Sequence, residues 1–213
     1  MSDFKIVVNG VQDGGVIPAA FALCVPAEVG HVAMAPNRNP AVSWSGAPEG
    51  TRSFALLVVD SDAPTVADDV NVEGRTVPSD LARADFSHWV LVDIPADRDR
   101  IAEGESSDGV TPHGKTPTTQ VFGVEGINDY TGWFQGDADM EGVYGGYDGP
   151  CPPWNDSIVH RYTFTLYALD IPTLGLAGSF TLADALARLD GHILATAALT
   201  AVYTLTPSLI DTI

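Results

Sequence analysis

The stretch Gly149–Asp170, GPCPPWNDSIVHRYTFTLYALD, places three prolines and a glycine directly before a run that alternates like a β-strand. Residues two apart in a strand share one face. From His160 onward, that shared face is made by His160, Tyr162, Phe164, Leu166 and Ala168. An apolar stripe therefore ends in a histidine and a tyrosine. Because proline restricts the backbone, the stretch predicts a strand whose polar end is walled by a rigid turn.

Two other predicted strands repeat this pattern of an apolar face with one polar end. The strand Ser53–Asp60 ends its face Phe54, Leu56, Val58 in Asp60, and the strand His88–Ile94 begins its face Val90, Val92, Ile94 with His88. If both outer strands run antiparallel to Ser53–Asp60, the side chains of Asp60, His88 and His160 meet at one edge of the sheet. Ser53–Asp60 is apolar on both faces, which predicts a central strand.

The remaining elements are two strands, Phe4–Val8 and His192–Leu205, and one helix within Phe180–Gly191. Thr181 caps the helix, Asp184 follows three residues later, and Gly191 ends it. Leu182, Leu186 and Leu189 form its apolar stripe.

The four tryptophans have different expected places. Alternation predicts that Trp89 points away from His88 and packs on the other face of the sheet, and Trp44 is expected at an edge of the core. Trp133 and Trp154 lie in loops near the proline turn, where a lid, a dimer contact and core packing are all open.

Length and composition indicate one domain covering residues 1–213, without repeats or a long linker. Segments 65–87 and 106–147 have little periodicity and much Gly, Asp and Pro, so they are expected to be long loops. Loops of this length in a compact domain usually carry function.

Charge and cysteine content narrow the partners and the location. A net charge of −18 repels phosphate backbones, so neither nucleic acid nor an anionic membrane is an expected partner. An excess of acidic residues is also typical of proteins that must stay soluble, including in a salty environment. Without a leader-like start or an apolar run of about 18 residues, the sequence predicts a cytoplasmic protein without a transmembrane segment. Cys24 and Cys151 are expected to be free thiols.

Four motifs in order resemble the phosphatidylethanolamine-binding proteins, in particular their bacterial and archaeal Raf kinase inhibitor-like branch. They are DSDAP (Asp60–Pro64), HWVLVDIP (His88–Pro95), YDGPCPP (Tyr147–Pro153) and HRYTFTLYALD (His160–Asp170). The segments Asn39–Asp60 and Asp190–Leu205 also resemble that branch, so the likeness covers most of the chain.

The resemblance implies a mainly β fold: a central antiparallel sheet, a smaller flanking sheet, a few helices and a shallow anion pocket at one end. The residues implied to line the pocket are Asp60, Asp62, Pro64, His88, Gly149, Pro150, His160 and Tyr162. The family's Asp-Pro-Asp is Asp60-Ser61-Asp62 here, which implies a looser turn. The resemblance also implies a cis bond between Ala63 and Pro64, and it is compatible with a homodimer.

The pocket chemistry favours binding of a small anion: phosphate, acetate or a phospholipid headgroup, with no cofactor and no metal. Two histidines can donate to one oxyanion or share its proton, Asp60 can orient one imidazole, and the Tyr162 hydroxyl can complete the site.

Three alternatives stay open. An Asp and His pocket also suits a hydrolase, although no nucleophile turn is present and Cys151 is its weak candidate. The loop Asp137–Asp148 has spacing near that of a calcium loop. Inhibition of a kinase or protease through protein contact follows from fold analogy alone, and no protein partner can be named.

Overall fold

The computed structural model describes residues 3–213, and β-strands dominate it. The strands are β1 (Lys5–Val8), β2 (Cys24–Pro26), β3 (Val32–Met34), β4 (Val42–Ser45), β5 (Ser53–Pro64), β6 (Arg83–Pro95), β7 (Arg100–Ile101), β8 (Gly114–Lys115), β9 (Thr119–Gln120), β10 (Gly123–Glu125), β11 (Val143–Tyr144), β12 (His160–Leu169) and β13 (Ile193–Tyr203). The helices are α1 (Tyr130–Trp133), α2 (Leu182–Leu189) and α3 (Pro207–Ile210), with a short 3-10 turn at Ala19–Phe21. The mainly β prediction is confirmed.

The central sheet has the strand order β13-β12-β5-β6-β10-β9, and a smaller sheet has the order β1-β4-β7. β5 runs antiparallel to both β12 and β6. Within Ser53–Asp60 every residue except Val59 is buried, as expected for a strand covered on both faces.

Bulges in β6 change which of its residues share a face. Val58 is opposite Trp89 and Val59 is opposite Ser87, so His88 is an extra residue that the ladder skips. Trp89 therefore packs in the same core as Leu91 and Ile94. The prediction that Trp89 faces away from the His88 side is wrong.

A second irregularity further along β6 completes the change of face. Asp93 has a positive φ of 55° and Ile94 returns to the core opposite Phe54. Val90 and Val92 pack on the opposite side of the sheet. The predicted common face of His88, Val90, Val92 and Ile94 is therefore wrong, because strict alternation does not survive a bulge.

Apolar residues cover both faces of the central sheet. On one face, the Phe54 ring contacts Phe4, just before β1, and Trp44 of β4, with ring centroids 6.1 and 5.3 Å away. On the other face, Ala185 and Leu189 of α2 pack against residues of β5 and β6. The pocket described below lies at the end of the first face.

Helix α2 has the predicted cap, with Thr181 and Asp184 bonding each other's backbone N–H groups. Its predicted stripe is partly wrong. Leu186 is 44% exposed, and Ala185 takes the buried position instead.

The predicted loop 65–87 is shorter than expected, since β6 begins at Arg83. Ala63 and Pro64 belong to β5 and are opposite Ala84 and Arg83. No cis peptide bond occurs among residues 3–213, so the expected cis Ala63–Pro64 bond is wrong. The strand backbone is extended there, and the trans bond continues it.

Cys24 and Cys151 form a disulfide, so the prediction of free thiols is wrong. The two residues are 127 positions apart in sequence. The Pro150 carbonyl accepts hydrogen bonds from the backbone N–H groups of Leu23 and Cys24, which brings the start of β2 against the proline turn. No helix in the described part of the chain is long and apolar enough to cross a membrane.

Candidate functional site

A small, partly open pocket of about 70 Å³ lies where β5, β6 and β12 meet the proline turn. Its walls are Asp60, Ala63, Pro64, Phe86, His88, Tyr130, Trp133, Cys151, Pro152, Pro153, His160 and Tyr162. Strand register brings three of these residues together, because Tyr162 of β12 and Phe86 of β6 are both opposite Asp60 of β5. The sequence placed Asp60, His88 and His160 at one edge of the sheet, and the structure brings them together there.

His160 is buried between two carboxylates. Its Nδ1 is 2.7 Å from Asp60 Oδ2, and its Nε2 is 3.1 Å from Asp156 Oδ2. Burial opposes the charged ring, but the hydrogen bonds that the ring donates to Asp156 and Asp60 prevail and raise the pKa of His160 to about 9. The ring is therefore an imidazolium at neutral pH. Because both nitrogens are used, His160 has no donor left for a ligand, contrary to the expectation of two donating histidines.

Two arginines pair with carboxylates around this histidine: Arg83 with Asp156, and Arg161 with Asp62. Arg83 donates to both oxygens of Asp156, at 2.6 and 3.0 Å. Arg161 donates to both oxygens of Asp62, at 2.8 and 2.7 Å. Burial acts to raise the pKa of Asp62, but the hydrogen bonds from Arg161 outweigh it and the pKa is lowered. Three cations thus face three carboxylates, and the network is close to neutral.

His88 differs from His160 because it has no acidic hydrogen-bond partner. Its Nδ1 lies 2.8 Å from the backbone carbonyl oxygen of Asp148 and donates to it. Burial lowers the pKa of His88, against the opposing charges of Asp60, Asp129 and Asp148. The neutral ring thus has its proton on Nδ1, and Nε2 makes no hydrogen bond to residues 3–213.

The Tyr162 hydroxyl is buried and has no hydrogen-bond partner within residues 3–213. Burial, and after it the charge of Asp60, raises the pKa of Tyr162 well above 10, so the phenol keeps its proton. Asp60 lies close enough to raise this pKa through its charge and through a hydroxyl–carboxylate interaction, but the contact does not have hydrogen-bond geometry. The oxygens of Asp60 accept from His160 and from the backbone N–H of Asp62. Among residues 3–213, the site therefore contains a buried hydroxyl donor that makes no hydrogen bond of good geometry.

Three of the eight predicted site residues do not line the pocket. Asp62 turns its carboxylate to Arg161. Gly149 accepts from the Tyr130 hydroxyl at 2.8 Å, and Pro150 accepts from Leu23 and Cys24. These residues support the wall from behind. The other five, Asp60, Pro64, His88, His160 and Tyr162, lie on the wall, and their role in binding stays a prediction.

Sequence reasoning missed two aromatic wall residues, Phe86 and Tyr130, and it placed Trp133 near the proline turn without assigning it to the wall. Phe86 was assigned to a loop, although it stands two residues before His88 and alternation from that histidine would have included it. Tyr130 and Trp133 belong to α1, within the segment 106–147 that has little periodicity. Their spacing of three residues, after Asn128 and Asp129, was the available signal for a helical turn.

The structure uses two of the residues proposed for hydrolysis and for calcium binding in other ways. The Cys151 sulfur is bonded to Cys24, so Cys151 is not a thiol nucleophile. Asp148, the proposed last calcium ligand, instead accepts hydrogen bonds from Asn37, Asn128 and Lys115. Within residues 3–213, no group of three or more His, Cys, Asp or Glu side chains is arranged to hold a metal ion.

Comparison with known proteins gives the same family along nearly the whole chain. The family model described as phosphatidylethanolamine-binding protein matches residues 8–204. The UPF0098 protein of Methanothermobacter thermautotrophicus is 34% identical over 78% of this chain and 83% of its own length.

Two further comparisons come from Escherichia coli. The UPF0098 protein YbhB is 28% identical over 93% of this chain and 99% of its own. The crystal structure of YbcL, described as a new member of the mammalian PEBP family, superposes with a TM-score of 0.67. That match has 27% identity and covers 95% of this chain and 98% of YbcL.

Proposed function

Because this chain belongs to the phosphatidylethanolamine-binding protein family, we propose that its pocket binds a small oxyanion, such as phosphate, acetate or a phospholipid headgroup. Family membership supports a ligand-binding or regulatory role in general. The identity of the ligand and the part of each residue are the proposal. The proposed role is binding without covalent chemistry and without a metal or cofactor.

The unpaired Tyr162 hydroxyl is the observation that carries this proposal. A buried donor without an acceptor costs about 1–3 kcal/mol, and native proteins satisfy most such groups. Because the phenol stays protonated, it can donate to an acceptor that a ligand brings. A ligand oxygen meets that need, and an anionic oxygen makes the stronger hydrogen bond.

His88 supplies the second contact. Its Nε2 is the ring atom left for the ligand, and the Asp148 carbonyl fixes the ring in place. An entering oxyanion stabilises the imidazolium, so the ring takes up a proton at Nε2 and donates it to the ligand. The pocket thereby gains a positive charge only when the anion is present.

The arrangement of His160 and Cys151 favours ligand binding over hydrolysis in this pocket. His160 has both nitrogens engaged by carboxylates, so it is not placed to remove a proton from water or a side chain. Cys151 is in the disulfide, so it cannot attack a substrate as a thiolate.

The predicted cytoplasmic location stays a prediction, and the disulfide weighs against it. Cytosolic thiols are kept reduced in most organisms, whereas disulfides persist in oxidising compartments. Labelling intact cells with a thiol reagent, with and without prior reduction, distinguishes the two states of Cys24 and Cys151.

A titration with Tyr162→Phe tests the proposal. Inorganic phosphate and O-phosphoethanolamine are titrated by calorimetry into the wild type and the variant at pH 6. We expect affinity to fall about tenfold or more in Tyr162→Phe, since one hydrogen bond to an anion is lost. Its thermal stability should be unchanged or higher, because the hydroxyl has no partner to lose.

Tyr130→Phe is the matched control. Its hydroxyl donates to the Gly149 carbonyl, so this variant should lose about 1 kcal/mol of stability. Tighter binding of O-phosphoethanolamine than of phosphate identifies a headgroup, and equal binding identifies free phosphate. Wild-type protein that binds neither at millimolar concentration, or a Tyr162→Phe variant of unchanged affinity, contradicts the proposal.

A further inference from the structure

Trp133 is a rim residue of the pocket whose indole is not used for packing like the other aromatic walls. It lines the pocket but is 46% exposed. By contrast, Tyr130 in the same helix is 3% exposed and contacts the rings of Phe86 and His88, with centroids 5.0 and 5.5 Å away. Within residues 3–213, Trp133 makes no ring contact of this kind.

The backbone that carries Trp133 is firmly attached to the pocket. Asp129, which precedes α1, accepts from both the backbone N–H and the hydroxyl of Ser87 at 2.6 and 2.8 Å. Asn128 donates to the buried Asp148 carboxylate at 2.8 Å. Ser87 is the neighbour of His88 in β6. The backbone of α1 is therefore held beside the proposed oxyanion site, and it carries the half-exposed indole.

Several of the residues that line the pocket with Trp133 are apolar. Pro64, Phe86, Pro152 and Pro153 are among them. The charged wall residues, Asp60 and His160, are paired with each other deeper in the site. A group attached to the bound oxyanion would thus meet rings and prolines rather than a free charge.

We propose that Trp133 selects ligands whose oxyanion carries a flat aromatic group, that is, aryl phosphoesters. This inference rests on the proposed oxyanion site and adds the substituent it prefers. An aryl ring can stack on the indole while its phosphate reaches Tyr162 and His88. An ammonium group would also be attracted to an indole face, but it would lack a free carboxylate at the rim.

The test compares phenyl phosphate, phosphocholine and inorganic phosphate by calorimetry at pH 7. Wild type should bind phenyl phosphate at least about fivefold more tightly than inorganic phosphate. Trp133→Ala should remove that preference and leave the affinity for inorganic phosphate unchanged, whereas Trp133→Phe should keep part of it. Melting temperature should change little in both variants, because the side chain is half-exposed.

Trp154→Ala is the matched control. Trp154 follows Pro153 but stacks on His31, with ring centroids 3.8 Å apart, and does not line the pocket. This variant should bind phenyl phosphate like the wild type. If phosphate binds but phenyl phosphate is not preferred, or if phosphocholine binds more tightly than phenyl phosphate, this inference is overturned while the oxyanion site stands. If none of the three binds, the oxyanion site itself is wrong.

Discussion

His160 and His88 line one pocket, yet their surroundings favour opposite protonation states. His160 is charged because Asp60 and Asp156 each accept from one of its nitrogens. His88 is neutral because burial outweighs the acidic groups near it. The first histidine therefore joins β5 and β12 to the irregular segment that contains Asp156, and the second has a ring nitrogen that makes no hydrogen bond within residues 3–213.

The charge on His160 predicts a fall in stability with rising pH. Its pKa is about 9 in the folded protein, against 6.5 for the ordinary value. Because the folded state binds this proton more tightly, the stabilisation is complete below pH 6.5 and is lost as the pH approaches 9. The shift corresponds to a loss on the order of 3 kcal/mol across that range.

Urea denaturation of the wild type at pH 6.5 and 9 measures this loss. In His160→Gln the dependence should be flat, and the variant should be less stable at both values because two carboxylates lose their shared cation. His192→Gln is the control, since His192 pairs with Asp170 at the surface and its side chain is 41% exposed. A wild type equally stable at both pH values would rule out the charged, doubly paired His160.

At the scale of elements, a disulfide joins the start of β2 to the proline turn that walls the pocket. A crosslink that closes a loop of about 100 residues or more stabilises by roughly 3–5 kcal/mol, mainly by restricting the unfolded chain. We expect the double variant Cys24→Ser, Cys151→Ser to lose about that much unfolding free energy.

The control for this prediction is the wild type unfolded with and without a dithiol reductant. Reduced wild type should match the double variant, and the variant itself should not respond to reductant. Thiol titration of the denatured, unreduced wild type should find no reactive cysteine. Two reactive thiols under those conditions, or a stability insensitive to reduction, would refute the crosslink.

Element prediction from sequence succeeded where alternation is regular. β5 and β12 each keep strict alternation over their core-facing residues, so their buried faces were predicted residue by residue. β6 was predicted as a strand but with wrong faces, because bulges near His88 and Asp93 reset the alternation. Bulges depend on how partner strands are paired, which periodicity within one strand does not encode.

At the scale of the whole molecule, order along the chain predicted the family and the fold, but not the pairing of distant segments. Cys24 and Cys151 meet because β2 packs against the proline turn, a contact that neither local sequence indicates. In the same way, Asp156 reaches His160 from an irregular segment, and Arg83, at the start of β6, bonds Asp156. The pocket location was predicted, while the loss of His160 as a donor was not.

The single-domain organisation and the homodimer stay predictions. Both concern how the whole chain behaves in solution, and sedimentation velocity measures the second directly. Because the chain has a net charge of −18, the proposed anion pocket would be a local exception to a surface that repels anions. Binding of an anion must therefore depend on specific hydrogen bonds and on an added proton.

That added proton allows the most direct test of the account: the affinity for sulfate, measured by calorimetry from pH 5 to 8. Sulfate does not titrate in this range, and His160, with a pKa of about 9, remains charged. If His88 takes up a proton on binding, the affinity of the wild type should tighten as the pH falls, by up to about tenfold per unit. His88→Gln should bind weakly with little pH dependence. Wild-type affinity that is independent of pH, or the same slope in both proteins, would contradict the account.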